Sequence, residues 1–249
     1  MPGITASFWV LKLLTTAMGE AASDYLLGTM GFVGLGLGAA GFAFALWVQF
    51  RTRRFNVFAY WAAVMMVAVF GTMAADTVHH ELGVPYEISS LVFAVAVAAT
   101  FWASYHVEHT LSIHSITTRR REVFYWLTVS FTFALGTALG DLSASTLHFG
   151  FVGSIVLFTV VMAVPALGYC RFRLNSVIAF WWAYIVTRPL GASVADWLSK
   201  PTQSGGRGFG DGPVAAVLLE LALVLITVAA VRRRNTAGAW AGSQLQPLR

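Results

Sequence analysis

Residues 60–76 read YWAAVMMVAVFGTMAAD: an aromatic pair, an uncharged apolar run, a glycine and, at the far end, an aspartate. A carboxylate in hydrocarbon is costly, and such residues face a bundle interior or a water-filled cavity. The stretch is long enough to cross a bilayer as a helix, which needs about 20 predominantly apolar residues. Its pattern recurs three more times along the chain. The aromatic pairs Phe8-Trp9, Tyr60-Trp61, Tyr125-Trp126 and Phe180-Trp181 align without a gap. Ten residues after each Trp comes a glycine (Gly19, Gly71, Gly136, Gly191), and five further on an aspartate (Asp24, Asp76, Asp141, Asp196). The residue before each aspartate is small: Ser23, Ala75, Gly140 and Ala195. This is an internal four-fold repeat, and it governs the fold.

Composition sets the solvent. The 249 residues are 57% hydrophobic and only 11% charged, with a mean hydropathy of +0.71. A soluble domain of this length needs far more charge to cover its surface. Hydrophobic runs fall at roughly 7–27, 31–50, 56–79, 88–109, 123–144, 147–169, 176–198 and 213–231, and helices satisfy their own backbone hydrogen bonds in lipid. The fold class is therefore all-α: an integral membrane protein of eight helices, arranged as four parallel two-helix repeats at about 5–51, 55–118, 121–173 and 176–232. The transmembrane domain spans 1–234, and the polar stretch 235–249 reads as a disordered tail.

The net charge of +5 comes from arginines grouped between spans, which is a topology pattern and not a nucleic-acid surface. Arg51, Arg53, Arg54, Arg119, Arg120, Arg121, Arg171, Arg173, Arg232, Arg233 and Arg234 fall on one side; the other shows only Lys200 and Arg207. The positive-inside rule puts both termini in the cytoplasm. The single cysteine, Cys170, excludes an internal disulfide. The Gly- and Ser-rich stretch 199–212 reads as a mobile loop.

Because every repeat enters the membrane the same way round, the simplest arrangement sets the four odd-numbered helices about an axis with the even-numbered ones beside or outside them. Each Gly and the small residue four later form a seam for close backbone approach. The Trp lies about 22 Å of helix rise from its Asp, which places the tryptophans in an interfacial belt. The Gly36–Gly41 stretch matches GxGxxG but lies within a span with no strand before it, so its glycines are helix-packing residues.

The stretch FWVLKLLTTAMGEAASDYL (8–26), with the repeated Trp–Gly–Asp hairpin, resembles a family of bacterial membrane proteins defined by four tandem two-helix repeats, each with a characteristic tryptophan. The resemblance covers about residues 5–232. It implies a multipass membrane protein, and localisation in a bacterial inner membrane, and it implies no activity.

The repeats diverge where chemistry is expected. Stepping back by fours from each aspartate gives Lys12, Thr16, Glu20, Asp24 in repeat one; Val64, Ala68, Thr72, Asp76 in repeat two; Val129, Phe133, Thr137, Asp141 in repeat three; and Tyr184, Arg188, Ala192, Asp196 in repeat four. Repeats one and four hold the charges. The functional reading is a transporter or channel for a small cation, a divalent metal or one coupled to protons, with Glu20 and the four aspartates as oxygen ligands, Lys12 and Thr16 along the pathway and Arg188 as counter-charge. His79, His80 and His148, at the same outer level, add nitrogen ligands if the cation is a transition metal. The bland alternative is a buried Glu20–Arg188 pair with aspartates that cap helix ends or bind loops. Glu220 reads as a buried acid directed to the pathway or to Arg188, and Pro189 as a kink. His106, Glu108 and His109 read as a polar helix end; a haem or electron-transfer protein is the rival they support, and a non-transporting sensor or assembly factor is a third. No soluble-enzyme constellation is present, and the bilayer is the one partner that composition dictates, with oligomerisation left open.

Overall fold

Four of the eight helices begin on a side-chain cap, and these four are the inner ones. The computed structural model describes residues 4–52 and 55–243, with backbone only at 114 and 234–243. Its long helices are α1 (Ala6–Met30), α2 (Phe32–Arg51), α3 (Val57–Asp76), α4 (Tyr86–Glu108), α5 (Arg119–Asp141), α6 (Gly150–Phe172), α7 (Ser176–Ser199) and α8 (Asp211–Ser243). Thr5, Asn56, Thr118 and Asn175 each accept a backbone N–H from the first turn of α1, α3, α5 and α7, satisfying one of the donors a helix start leaves open. Helix α8 continues to Ser243, so residues 235–243 of the expected tail are helical, and 244–249 lie outside the described residues.

The odd-numbered helices close a ring in chain order: α1 packs on α3, α3 on α5, α5 on α7 and α7 on α1. The even-numbered helices lie outside. Each packs on the inner helix that follows it, α2 on α3, α4 on α5 and α6 on α7, and α8 completes the cycle on α1. Burial separates the layers: 61–72% of the apolar windows of α3, α5 and α7 are buried, against 17–28% for α2, α4, α6 and α8. Seven of these helices are long and apolar enough to cross a membrane, and the protein is a membrane protein. Helix α1 falls outside that set because Lys12, Glu20 and Asp24 lie in it; Lys12 and Glu20 are turned inward and buried.

Two cycles of contacts explain why the ring closes. Each repeat's glycine forms a socket for a side chain of the next inner helix. Ala68 sits on Gly19, Phe133 on Gly71, Arg188 on Gly136 and Thr16 on Gly191. A methyl group at Gly71 would lie 2.8 Å from Phe133 Cβ, and one at Gly191 2.7 Å from Thr16 Cγ2, so only glycine permits the approach. At the arginine-bearing end, the first ring of each aromatic pair meets the next repeat's tryptophan. Ring centroids are 5.6 Å apart for Phe8–Trp61, 5.8 Å for Tyr60–Trp126, 6.1 Å for Tyr125–Trp181 and 5.8 Å for Phe180–Trp9. The tryptophans are thus the floor of the ring and not an interfacial belt: Trp61, Trp126 and Trp181 are buried. Such aromatic pairs each add about 0.5–1.5 kcal/mol beyond area burial.

Outside the ring, Gly38 and Gly41 of α2 receive the side chains of Met73 and Met66 from α3, the packing role assigned to that glycine run. Helix α7 runs unbroken from Ser176 to Ser199 through Pro189. The 199–212 stretch is tied down: the N–H groups of Arg207, Phe209 and Gly210 donate to the carbonyls of Trp197, Leu198 and Ser199 at 2.7, 3.1 and 3.0 Å. These are carbonyls that the end of α7 would otherwise leave open.

Candidate functional site

The side chains that step back by fours from each aspartate line the ring's axis in layers. In the layer one turn below the aspartates stand Glu20, Thr72, Thr137 and Ala192. Arg188, one turn lower on α7, reaches up into it. Its Nη2 donates to Glu20 Oε2 at 2.7 Å, to Thr137 Oγ1 at 2.7 Å and, closer still, to Thr72 Oγ1. Its Nη1 donates to the Thr16 carbonyl at 3.0 Å. Thr72 also donates to Glu20 at 3.0 Å. Glu20 and Arg188 are both buried, so the ion pair of the bland alternative exists, held by hydrogen bonds from all four inner helices. Gly136 leaves the room in which the Arg188 stem lies.

Lys12 lies nearer the aromatic floor. It is buried, with Nζ 4.0 Å from the Phe133 ring centre and 4.3 Å from that of Tyr184, donating to Thr16 Oγ1 at 3.4 Å. Among the described residues no carboxylate pairs with it; aromatic faces take that place. Tyr60 and Tyr125 follow, joined hydroxyl to hydroxyl at 2.7 Å. Among the described residues the axial side chains from Glu20 down to Tyr60 and Tyr125 are buried, so the axis is a packed file of polar and apolar groups.

Toward the other end the carboxylates gather. Glu20, Asp24 and Asp196 each offer an oxygen, and these atoms lie within 4.8 Å of one another. Lys200 reaches in from the loop: Nζ is 2.7 Å from Asp24 Oδ2 and 3.4 Å from Asp211 Oδ1. Burial works against its charge, but Asp24 and Asp196 outweigh that and hold its pKa above the ordinary lysine value. Among the described residues, Asp24 is the one repeat aspartate whose side chain takes a hydrogen bond. Helix capping therefore does not account for the other three.

Asp76 and Asp141 stand differently. Each is followed by a π-helical turn, Thr77–Glu81 and Leu142–Thr146, closed by bonds from Leu82 N–H to the Thr77 carbonyl and from Leu147 N–H to the Leu142 carbonyl. Single π turns of this kind concentrate at functional sites. Asp76 lines a side cavity of about 270 Å³ together with Thr77 and His80.

The three histidines do not join the carboxylate trio, although His80 lies with Asp76 on the side cavity. His79 stacks on Tyr86 at 3.4 Å, with Nδ1 2.7 Å from the Val84 carbonyl; His80 and His148 are exposed. Among the described residues the one group of three such donors is the carboxylate trio. Glu220 is exposed on the outer face of α8 and does not enter the axis. At the other end of α4, Glu108 pairs with Arg120 at 2.5 Å and Arg121 at 2.8 Å, and His106 packs against Trp102. Sequence reasoning passed over Thr72 and Thr137, although they occupy the same repeat position as Glu20. It also passed over Lys200, whose place beside Asp24 is set by a loop without periodicity.

Fold and site together define a membrane protein whose two-helix repeats close into a ring around a polar axis. The family model described as Repeat of Unknown Function (DUF347) matches residues 59–110, 124–175 and 179–236, and the chain belongs to that family. Residues 6–51 lie outside those matches, yet they supply the fourth socket and the fourth aromatic pair of the ring. No curated protein and no solved structure matches the chain.

Proposed function

We propose that the protein is a carrier for a small cation, acting in the inner membrane of a bacterium, with Glu20, Asp24 and Asp196 as its ligands. The observation that carries the reading is the convergence of those three carboxylate oxygens within 4.8 Å. Like charges that close repel strongly in a low-dielectric site. Arg188 and Lys200 offset part of the charge, and a bound cation or protons supply the rest. An all-oxygen donor set suits a hard divalent ion such as magnesium, calcium or manganese. Ser23 and Ser199, next in sequence to Asp24 and Lys200, have buried hydroxyls without a partner among the described residues.

The packed axis favours a carrier over a channel. Below the carboxylates a cation would meet the Arg188 guanidinium and then the buried Phe133 and Lys12, so passage requires a rearrangement and not simple diffusion. Exchange of the cation against protons on the same carboxylates gives the coupling.

Calorimetric titration of the purified full-length protein with magnesium, calcium and manganese tests the reading. At least one of these ions binds with release of protons, and the double variant Asp24→Asn/Asp196→Asn loses that binding while keeping its fold. The reading fails if none of them binds, or if the double variant binds as the parent does.

A further inference from the structure

A second site lies at the opposite end of the ring, away from the carboxylates and independent of the transport reading. A cavity of about 600 Å³ opens between α1, α3 and α8, a volume within the ~300–1,000 Å³ typical of ligand sites. Its walls are apolar, formed by Leu11, Trp61, Leu225 and Val228, and its mouth carries Ser7, Arg232 and Arg233. The Arg233 guanidinium rests 4.4 Å from the centre of the Phe55 ring. No acidic residue occupies the first turn of α1 beside it.

The topology explains why the cavity is here. Three of the four outer helices are joined to the inner helix they pack on by a short segment at this end: 52–56, 109–118 and 173–175. Between α4 and α5 that segment fills the space, leaving about 30 Å³, and its Leu111 carbonyl accepts a bond from Trp181 Nε1 at 2.9 Å. There Glu108 neutralises the arginines. The α8–α1 pair closes the ring without a connecting segment. Its cavity is twenty times larger by those two volumes, and among the described residues no carboxylate lines it. Val10 and Val228 on its rim are 53% and 41% exposed, so it opens sideways, toward lipid.

We propose that this seam binds an anionic phospholipid, with an acyl chain along the apolar walls and the phosphate beside Arg233 and the start of α1. The joint character of the cavity selects that chemistry. A zwitterionic lipid fits the walls and forfeits the charge; a free phosphate fits the mouth and leaves the walls uncovered. Arginine groups at this membrane level are the recurring partners of anionic headgroups.

Native mass spectrometry of the full-length protein, released from neutral detergent with phosphatidylglycerol or phosphatidylcholine of identical chains, tests it. One phosphatidylglycerol is retained in preference to phosphatidylcholine. Arg233→Ala weakens retention roughly fivefold, the effect of one arginine near an anionic headgroup, and Arg233→Lys restores most of it. Ala229→Leu, which fills the cavity, abolishes retention, and Arg171→Ala, on the same face but on α6, changes nothing. Equal retention of both lipids, retention of neither, or equal losses in Arg171→Ala and Arg233→Ala would overturn the proposal. Should Ala229→Leu not fold, the arginine series decides alone.

Discussion

Helices α1 and α7 share their socket, aromatic pair and aspartate with α3 and α5, but not the residues that face the axis between them. All four carry the glycine that receives the next helix and the aromatic pair of the floor. Yet the same axial positions hold Lys12, Glu20 and Arg188 on α1 and α7, and Val64, Ala68, Val129 and Phe133 on α3 and α5. The repeat therefore builds the ring, and divergence within it builds the site. The α3 and α5 half is not idle: Thr72 and Thr137 hold the Glu20–Arg188 pair in place. It supplies neutral donors where the other half supplies charge.

The sharpest way to break this contrast is to remove one charge and leave its partner. Arg188→Met strands Glu20 in a buried site and destabilises the protein by about 3–5 kcal/mol, read as a lowered midpoint on heating in detergent. Glu20→Gln/Arg188→Met removes both charges and recovers most of that loss; a double variant as unstable as the single ones combined contradicts the pairing. Next come the sockets, where the two halves are equivalent. Gly71→Ala on one half and Gly191→Ala on the other each cost about 1–3 kcal/mol through overpacking. Gly28→Ala, which meets no atom within 4 Å, is neutral or stabilises by up to about 1 kcal/mol.

Smaller effects separate the supporting residues. Thr72→Val and Thr137→Val each lose about 1–2 kcal/mol by removing hydroxyls that Arg188 engages. Lys200→Gln changes stability least, about 1 kcal/mol or less, since its side chain is 29% exposed and solvent screens the pair. Its mark is on binding: with the tethered ammonium gone from Asp24, cation affinity rises, as calorimetric titration at constant pH will record. An unchanged or weaker affinity separates Lys200 from the cation site.

Much of this was legible in the sequence. The four-fold alignment of Trp, Gly and Asp carries the ring, because a helix repeats its geometry wherever its sequence repeats, and the Gly-xxx-small seam marks where backbones approach. The grouping of charge on repeats one and four marked the helices whose carboxylates converge, Glu20 and Asp24 on α1 and Asp196 on α7. What the sequence did not reveal depends on which way a side chain turns. The tryptophans read as an interfacial belt because hydropathy locates depth but not facing; inward rotation makes them the floor. Glu220 read as inward for the same reason, and its outward position on α8 follows from that helix packing on α1 through Ala222 and Ile226, both fully or nearly fully buried. The place of Lys200 was invisible because the 200–210 segment folds back on α7 through backbone bonds that no side-chain pattern encodes. The histidines share a level with the carboxylate trio without joining it, and His80 lies instead with Asp76 on the side cavity.

The measurement that bears most directly on the central claim is cation flux into proteoliposomes loaded with a metal-sensitive dye, comparing the two halves. The account predicts uptake by the parent protein, loss of at least tenfold in Asp24→Asn and Asp196→Asn, which is roughly 1.4 kcal/mol or more of lost interaction, and smaller losses in Asp76→Asn and Asp141→Asn. No uptake under any cation gradient, or equal uptake by the parent and all four folded variants, would contradict it.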